Sequence, residues 1–369
     1  MQGESRLSVL FLTRYPQEGA SSRYRVHQYV PFLEDLGVEC TVQSFMDAEM
    51  YRLSLSRGRT LKKIFKTALA TVKRIQTVMG WRRYDAIYMQ REVLPFGPPL
   101  MERWLKRSGA VMFFDLDDAL FIKKASRYNP IATFFRSPGK TLEIFRLVDC
   151  TVAGNDWLRD AARAQGGRAE TIEVAEDTSR VPLSSASETS RPVTIGWLGS
   201  PSTVKYLTLI EIPLRNIARR HPEVRWEIMG GGDFEMDGVP WVHHAWSLEA
   251  EGQALARFDI GLMPLPAEDW AKGKSGGKAR TYMASSVVPV VAAVGYNLEL
   301  ISDRKTGFLC RVENDWEEAI ELLISDQQLR ARVSAAARRD VEDRFSQRGQ
   351  ARKIAELLRT TVASRRHPR

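Results

Sequence analysis

Lys272, Lys274 and Lys278 share the stretch Trp270-Ala271-Lys272-Gly273-Lys274-Ser275-Gly276-Gly277-Lys278 with three glycines, just before a helical pattern. Glycines let backbone N–H groups converge on an anion, a helix N-terminus adds its dipole, and ammonium groups neutralise the charge, so this spacing suits a diphosphate. A solvated basic loop is the plainer alternative. Two more glycine turns follow strand-like runs: Gly199-Ser200-Pro201-Ser202, which leads into a helical pattern bearing Lys205, and Gly230-Gly231-Gly232-Asp233.

The amino half offers a different chemistry. Gly19-Ala20-Ser21-Ser22-Arg23-Tyr24-Arg25 runs from a small-residue loop into a helical pattern. Free N–H groups with Arg23 and Arg25 suit an anionic or hydroxyl-rich ligand, while Ser21 or Ser22 as a plain helix cap is the alternative. Gln90-Arg91-Glu92 follows one strand-like run, and Asp115-Leu116-Asp117-Asp118-Ala119 places three carboxylates within four residues at the end of another. These carboxylates suit three roles: holding a divalent cation, orienting sugar hydroxyls, or pairing with arginines such as Arg91. No His or further acidic cluster lies nearby to complete a metal shell, so no metal is expected.

Several classes are disfavoured. The first strand-like run leads to Thr13-Arg14-Tyr15-Pro16 and Gly196-Trp197-Leu198-Gly199-Ser200-Pro201 lacks a third glycine, so there is no dinucleotide fingerprint. Gly273-Lys274-Ser275 resembles the end of a phosphate-binding loop, but Glu268 stands where the earlier glycine is required. His27, His221, His243 and His244 have no spaced partners, and no nucleophilic triad is visible. Cys40, Cys150 and Cys310 are too dispersed for a disulfide framework or a zinc site, which fits a reducing cytoplasm. The longest apolar run, Val287 to Val294, falls short of the roughly 18 residues of a spanning helix, and Leu7 to Leu12 is too short for a signal-peptide core.

Placing these motifs requires elements. Leu7 to Thr13, Val38 to Ser44, Asp85 to Gln90, Val111 to Asp115 and Cys150 to Ala153 predict buried strands. Helical patterns fall near Arg23 to Leu36, Leu61 to Met79, Pro98 to Arg107, Leu142 to Leu147 and Asp156 to Ala164. A second series predicts strands at Val193 to Leu198, Arg225 to Met229, Asp259 to Pro264, Pro289 to Ala292 and Gly307 to Arg311. Its helices fall near Thr203 to Arg220, Leu248 to Arg257, Lys278 to Ser285 and Trp316 to Ile324, and Asp326 to Arg365 is helical. Such alternation means parallel sheets covered on both faces. The expectation is an α/β chain of two Rossmann-like domains, residues 1–180 and 193–345, joined by a Ser, Thr and Pro-rich linker at 181–192 and followed by a helix and basic tail at 346–369. Met46 to Arg59 and Phe121 to Pro138 read as loops.

Charge is concentrated. The 369 residues carry 54 basic and 45 acidic side chains, a net +9, but Met50 to Tyr84 alone holds ten basic residues and no acidic one. Without that segment 44 basic residues face 45 acidic ones, so broad nucleic-acid binding is disfavoured and one local anionic surface is implied. Leu61 to Met79 reads as a basic amphipathic helix that either packs its apolar stripe on a sheet or docks on anionic lipid.

The motifs together resemble retaining, nucleotide-sugar-dependent glycosyltransferases of family four, which have two facing Rossmann domains, the GT-B fold. The resemblance spans nearly the whole chain. It is strongest at Phe258-Asp259-Ile260-Gly261-Leu262-Met263-Pro264-Leu265, Trp270, Lys272 to Lys278, Tyr282-Met283-Ala284, Pro289-Val290-Val291-Ala292, Gly295, Glu299 and Gly307-Phe308-Leu309. In the amino half, Ala20 to Val26, Gln90-Arg91-Glu92 and Phe114 to Ala119 resemble a branch that builds bacterial surface polysaccharides.

The resemblance implies a nucleoside diphosphate sugar in the carboxyl half, on Gly199, Ser200, Lys205, Gly230, Gly231, Lys272, Lys274, Ser275, Gly276, Lys278, Thr281 and Glu299. It implies a glycan or lipid-linked glycan acceptor in the amino half, on Ser21, Ser22, Arg23, Arg25, Arg91, Glu92, Asp115, Asp117 and Asp118, with a helix near Ser346 to Val362 crossing back. Lys205 and Lys274 would stabilise the leaving diphosphate and Asp117 and Asp118 would orient the acceptor, with retention and with no cofactor or metal. The expected setting is cytoplasmic, peripheral at the inner membrane face through Leu61 to Met79. Two glutamates that family members often carry fall on Gly273 and Thr281, and an expected arginine falls on Gly199. A non-catalytic binding homologue and a nucleotide-sugar epimerase on the same fold are therefore the rival readings.

Overall fold

The structure is a computed structural model that describes residues 6–56, 58–122, 138–180 and 191–366. Residues 181–190 of the expected linker, 123–137 of the Phe121 to Pro138 loop, and 367–369 of the basic tail lie outside the described residues. The chain forms two compact units, Met1–Ala175 with Gln347–Arg369, and Glu176–Ser346.

In the first unit the strands are β1 (Leu7–Thr13), β2 (Val38–Ser44), β3 (Ala86–Gln90), β4 (Met112–Leu116), β5 (Cys150–Ala153) and β6 (Ala169–Thr171). They form one parallel sheet in the order β2-β1-β3-β4-β5-β6. Burial on both faces explains why β3 and β4, apart from Gln90 and Asp115, read as apolar runs instead of alternating ones. The edge strand β6 was not predicted, because Ala169, Glu170 and Thr171 carry no such run.

Two long helical patterns break where proline intrudes. Arg23 to Leu36 becomes helix Ala20–Arg25, a 3-10 turn His27–Tyr29 and helix Val30–Asp35, with Pro31 in the first turn of the last. Thr203 to Arg220 becomes a 3-10 segment Val204–Ile210 followed by helix Glu211–Arg220, with Pro213 near its start. Proline has no N–H to continue an upstream helix, so it restarts one. The Met46 to Arg59 loop instead contains helix Ala48–Leu55, started by Asp47, whose carboxylate accepts from the Met50 N–H at 2.6 Å.

The C-terminal helix Gln347–Arg366 belongs to the first unit. Its Ala351, Ile354, Ala355, Leu358 and Val362 are buried with Tyr29, Leu33 and Ile172.

The second unit contains β7 (Thr194–Leu198), β8 (Arg225–Met229), β9 (Trp241–His244), β10 (Ile260–Met263), β11 (Val288–Ala292) and β12 (Phe308–Cys310). They form a parallel sheet in the order β12-β11-β10-β7-β8-β9. The unpredicted β9 is an edge strand whose Val242 and His243 are exposed. Trp197, Trp226, Leu214, Val290, Ile320 and Val333 lie in one core beneath the helices.

Each sheet has one place where the strand order reverses: between β1 and β3, and between β7 and β10. The loops leaving such neighbours run in opposite directions and open a crevice at the strands' carboxyl ends. Between β7 and β10 the backbones pair at Gly196 and Gly261. A Cβ at Gly196 would lie 2.1 Å from the Phe258 ring, and one at Gly261 2.5 Å from the Tyr282 ring, so only glycine admits these rings. The Tyr282 hydroxyl accepts from the Leu198 N–H at 2.9 Å and donates to the Leu262 carbonyl at 3.2 Å, tying the two strand ends together.

Candidate active site

In the second unit the crevice is bordered by Gly199 to Thr203 after β7 and by Trp270 to Lys278 after β10. Gly276 is left-handed at φ 65° immediately before helix Gly277–Ala284, and a side chain there would meet Leu300 and Tyr296. That turn carries Lys278 inward. Its ammonium lies 3.5 Å from Thr203 Oγ1 and 5.2 Å from the centre of the Trp197 ring. No carboxylate pairs with it among the described residues, and burial, aided by the neighbouring Lys274 charge, lowers its pKa from 10.5 to about 8. A cation made uncomfortable by its surroundings favours an anionic ligand.

Lys274 is half-buried with its ammonium 4.2 Å from the centre of the Trp270 ring, and Trp270 in turn lies 6.2 Å from Tyr206. A cation over an indole face keeps its charge while its aliphatic stem is fixed. Lys205 is exposed, 5.5 Å from the centre of the Tyr206 ring.

The remaining donor-side residues divide. Lys272 is exposed and paired with Asp269 at 2.8 Å, so its charge, unlike that of Lys278, is already met by a carboxylate. The Gly199 N–H donates to the Met229 carbonyl at 3.0 Å and so is not offered to a phosphate; the glycine serves instead as space, since a Cβ there would come 2.7 Å from Lys278 Cε. Gly230, at φ 79°, passes against the Gly199 carbonyl, and Gly231 against Ile228 and Val204. Ser200 is exposed, with its hydroxyl 2.8 Å from that of Ser202. The Ser275 carbonyl accepts from Arg280 at 2.8 Å. Glu299 is exposed on the short helix Asn297–Leu300.

Thr281 donates its hydroxyl to Glu176 Oε1 at 3.2 Å, and Arg280 stands 3.6 Å from the same carboxylate oxygen. A buried carboxylate thus stands beside the position where the resemblance places a glutamate. Glu176 is a hundred residues away in sequence, in a segment without a motif, so nothing in the sequence singled it out; Thr203 and Trp197 were missed because they read as helix start and strand core.

In the first unit the loops after β1 and β3 meet. Ser22 is buried, accepting from the Tyr15 N–H at 3.0 Å and donating to Gln90 Oε1 at 2.7 Å, so it neither caps a helix nor faces a ligand. Arg25 and Asp115 are also corrected: they form a buried two-pronged pair at 2.8 and 2.7 Å, with the Tyr88 hydroxyl and the Ile172 carbonyl completing their contacts. These residues hold β4 to the first helix.

What remains at the surface is Ser21, Arg91, Glu92, Asp117 and Asp118, all partly exposed. Ser21 donates to both Asp117 oxygens at 3.1 and 3.2 Å and accepts from Gln90 Nε2 at 3.1 Å. Arg91 lies 3.9 Å from Asp117 and adopts φ 67°, a left-handed backbone for a branched-out side chain that a strand end tolerates only when held; its N–H donates to the Asp115 carbonyl. Asp118 Oδ1 accepts from the Ala119 N–H, and Arg23 stacks 5.0 Å from the Tyr24 ring. With Asp115 turned inward to Arg25 and Asp117 turned to Ser21 and Arg91, the three carboxylates do not converge on one point.

The two parallel six-stranded units are those of the GT-B fold. HepE of Anabaena, solved with UDP-glucose, superposes with a TM-score of 0.68 at 16% identity over 96% of this chain and 100% of its own. Sucrose-phosphate synthase from Thermosynechococcus elongatus gives 0.69 at 14% identity over 97% and 100%. A glycosyltransferase from Rickettsia africae gives 0.66 at 14% identity over 97% and 99%. At these identities the likeness establishes the fold alone. No family model matches the sequence, and no curated protein does.

Proposed function

We propose that the protein is a glycosyltransferase that moves a sugar, with retention and without a metal, from a nucleoside diphosphate sugar on the second unit to a hydroxyl of a glycan or lipid-linked glycan on the first. The setting would be surface polysaccharide synthesis at the inner face of the bacterial cytoplasmic membrane. One observation carries the donor assignment: Lys278, half-buried without a carboxylate partner at a glycine-built strand switch, with its pKa lowered to about 8. HepE solved with UDP-glucose and with UDP supports a nucleoside diphosphate there.

In this reading the C1–O bond to the diphosphate breaks while the acceptor oxygen bonds C1 on the same face, and the acceptor proton passes to the departing phosphate. No protein nucleophile is needed. Lys278 and Lys274 stabilise charge where it grows on the leaving oxygen, in a setting of low dielectric. Asp117, steadied by Ser21 and Arg91, would take the acceptor's hydroxyls. A second reading, binding without turnover, is favoured by Gly273 and Thr281 lacking carboxylates and by Glu176 being held by Arg280.

A panel of nucleoside diphosphates and nucleotide sugars, scored by thermal shift with and without EDTA, tests the reading. The expected result is a metal-independent rise in Tm that is lost in Lys278→Ala and Lys274→Ala. No rise with any nucleotide would remove the donor assignment; a rise without release of sugar on long incubation with acceptors would select binding without turnover.

A further inference from the structure

The helix Thr60–Met79 turns its apolar face outward. Leu61, Ile64, Phe65, Leu69, Val72 and Met79 are exposed, Leu61 by 84% and Phe65 by 70%, while Arg74 and Val78 on the opposite face are buried. A soluble helix ordinarily does the reverse. The lysines at its start are engaged within the protein: Lys62 and Lys66 pair with Glu49 at 2.9 and 2.5 Å, and Lys63 donates to the Ser56 carbonyl. Glu49, exposed between those ammonium groups, is held down to a pKa of about 2 by its hydrogen bonds to Lys66 and Lys62. Lys73, Arg82 and Arg83 remain exposed with no carboxylate partner among the described residues.

We infer that this helix is a membrane-insertion element, lying in the interface of an anionic bilayer with its six apolar side chains among the acyl chains and Lys73, Arg82 and Arg83 at the headgroups. Lipid is favoured as occupant over a second copy, since a symmetric contact through this face would bring together the exposed Lys73, Arg82 and Arg83 of both copies, none of which has a carboxylate partner among the described residues. A fluid bilayer also accepts the convex stripe of a single helix without a shaped partner.

The buried face links this element to the candidate acceptor cluster. Arg74 donates to the carbonyls of Thr13 at 2.6 Å, Gln43 at 3.1 Å and Val93 at 3.3 Å. Thr13 leads to Arg14 and Tyr15, whose N–H groups donate to Gln90 and Ser22, and Gln90 donates to Ser21, which holds Asp117. Docking would therefore be connected through these hydrogen bonds to Asp117, the carboxylate proposed to take the acceptor's hydroxyls. Only this last consequence rests on the glycosyltransferase reading; the docking does not.

The test is co-sedimentation of the full chain with phosphatidylcholine vesicles, with and without phosphatidylglycerol, for wild type and Phe65→Glu/Leu69→Glu, alongside Tm and sedimentation velocity. Both positions are exposed, so the fold should survive. The expected result is binding that requires phosphatidylglycerol and falls about tenfold or more in the variant, at unchanged Tm and unchanged nucleotide-induced shift. Equal pelleting of variant and wild type, or no wild-type binding to phosphatidylglycerol vesicles, overturns the inference; a wild-type dimer that the variant dissolves, without vesicle binding, assigns the face to a second copy.

Discussion

At the scale of single residues, the aspartates after β4 look alike in sequence and do different things in space. Asp115 neutralises a fully buried arginine, so Asp115→Ala leaves the Arg25 charge uncompensated and should cost about 3 kcal/mol or more in denaturant unfolding. Asp117 is partly exposed and as Asn could still accept from Ser21, so Asp117→Asn should cost clearly less than Asp115→Ala, about 1 kcal/mol, and lower transfer to acceptor by about tenfold to a hundredfold, for one charged hydrogen bond lost. Equal destabilisation by both would contradict the division. The sequence showed three carboxylates at a strand end, and even raised arginine pairing, but the partner that decides the matter, Arg25, lies ninety residues away.

At the scale of elements, the strands were the most legible part. Buried parallel strands tend to be apolar runs, and β1 and β5 begin and end where theirs do, while β2 and β8, whose runs carry polar residues, also lie where the sequence places them. The short edge strands β6 and β9 carry no run, and the long helical patterns broke at Pro31 and Pro213 because periodicity records which face is apolar and not whether the backbone is continuous. The Leu61 to Met79 pattern shows the limit clearly: the apolar stripe was visible, but its direction depends on what the rest of the unit covers. Tyr282 gives an element-scale prediction. Tyr282→Phe would leave the buried Leu198 N–H without an acceptor where β7 and β10 part, and should cost about 1–3 kcal/mol and weaken nucleotide binding, measured by unfolding and titration. Unchanged stability would mean that the hydroxyl does not hold that junction.

At the scale of the whole chain, the first unit is discontinuous. Ending the chain at Ser346 would remove Ala351, Ile354, Leu358 and Val362 from its core while leaving the second unit intact. Calorimetry should then show loss of one cooperative transition with nucleotide-dependent stabilisation of the other retained; loss of both would contradict the division. The charge on Lys278 also has a chain-wide reading. Its folded pKa lies below its unfolded value, so the unfolded state holds the proton to higher pH and stability should rise between about pH 8 and 10.5 in wild type, with the rise absent in Lys278→Met.

The same proton tests the central claim, that a nucleoside diphosphate is held by Lys278 at the β7–β10 switch. The measurement is calorimetric titration of UDP and other nucleoside diphosphates in EDTA, at pH 7 and pH 9, into wild type and Lys278→Met. A bound diphosphate must keep the ammonium protonated, so affinity should fall by up to about tenfold between these pH values, with proton uptake at pH 9 that the variant lacks. Affinity that is independent of pH, or equal in the variant, would contradict it.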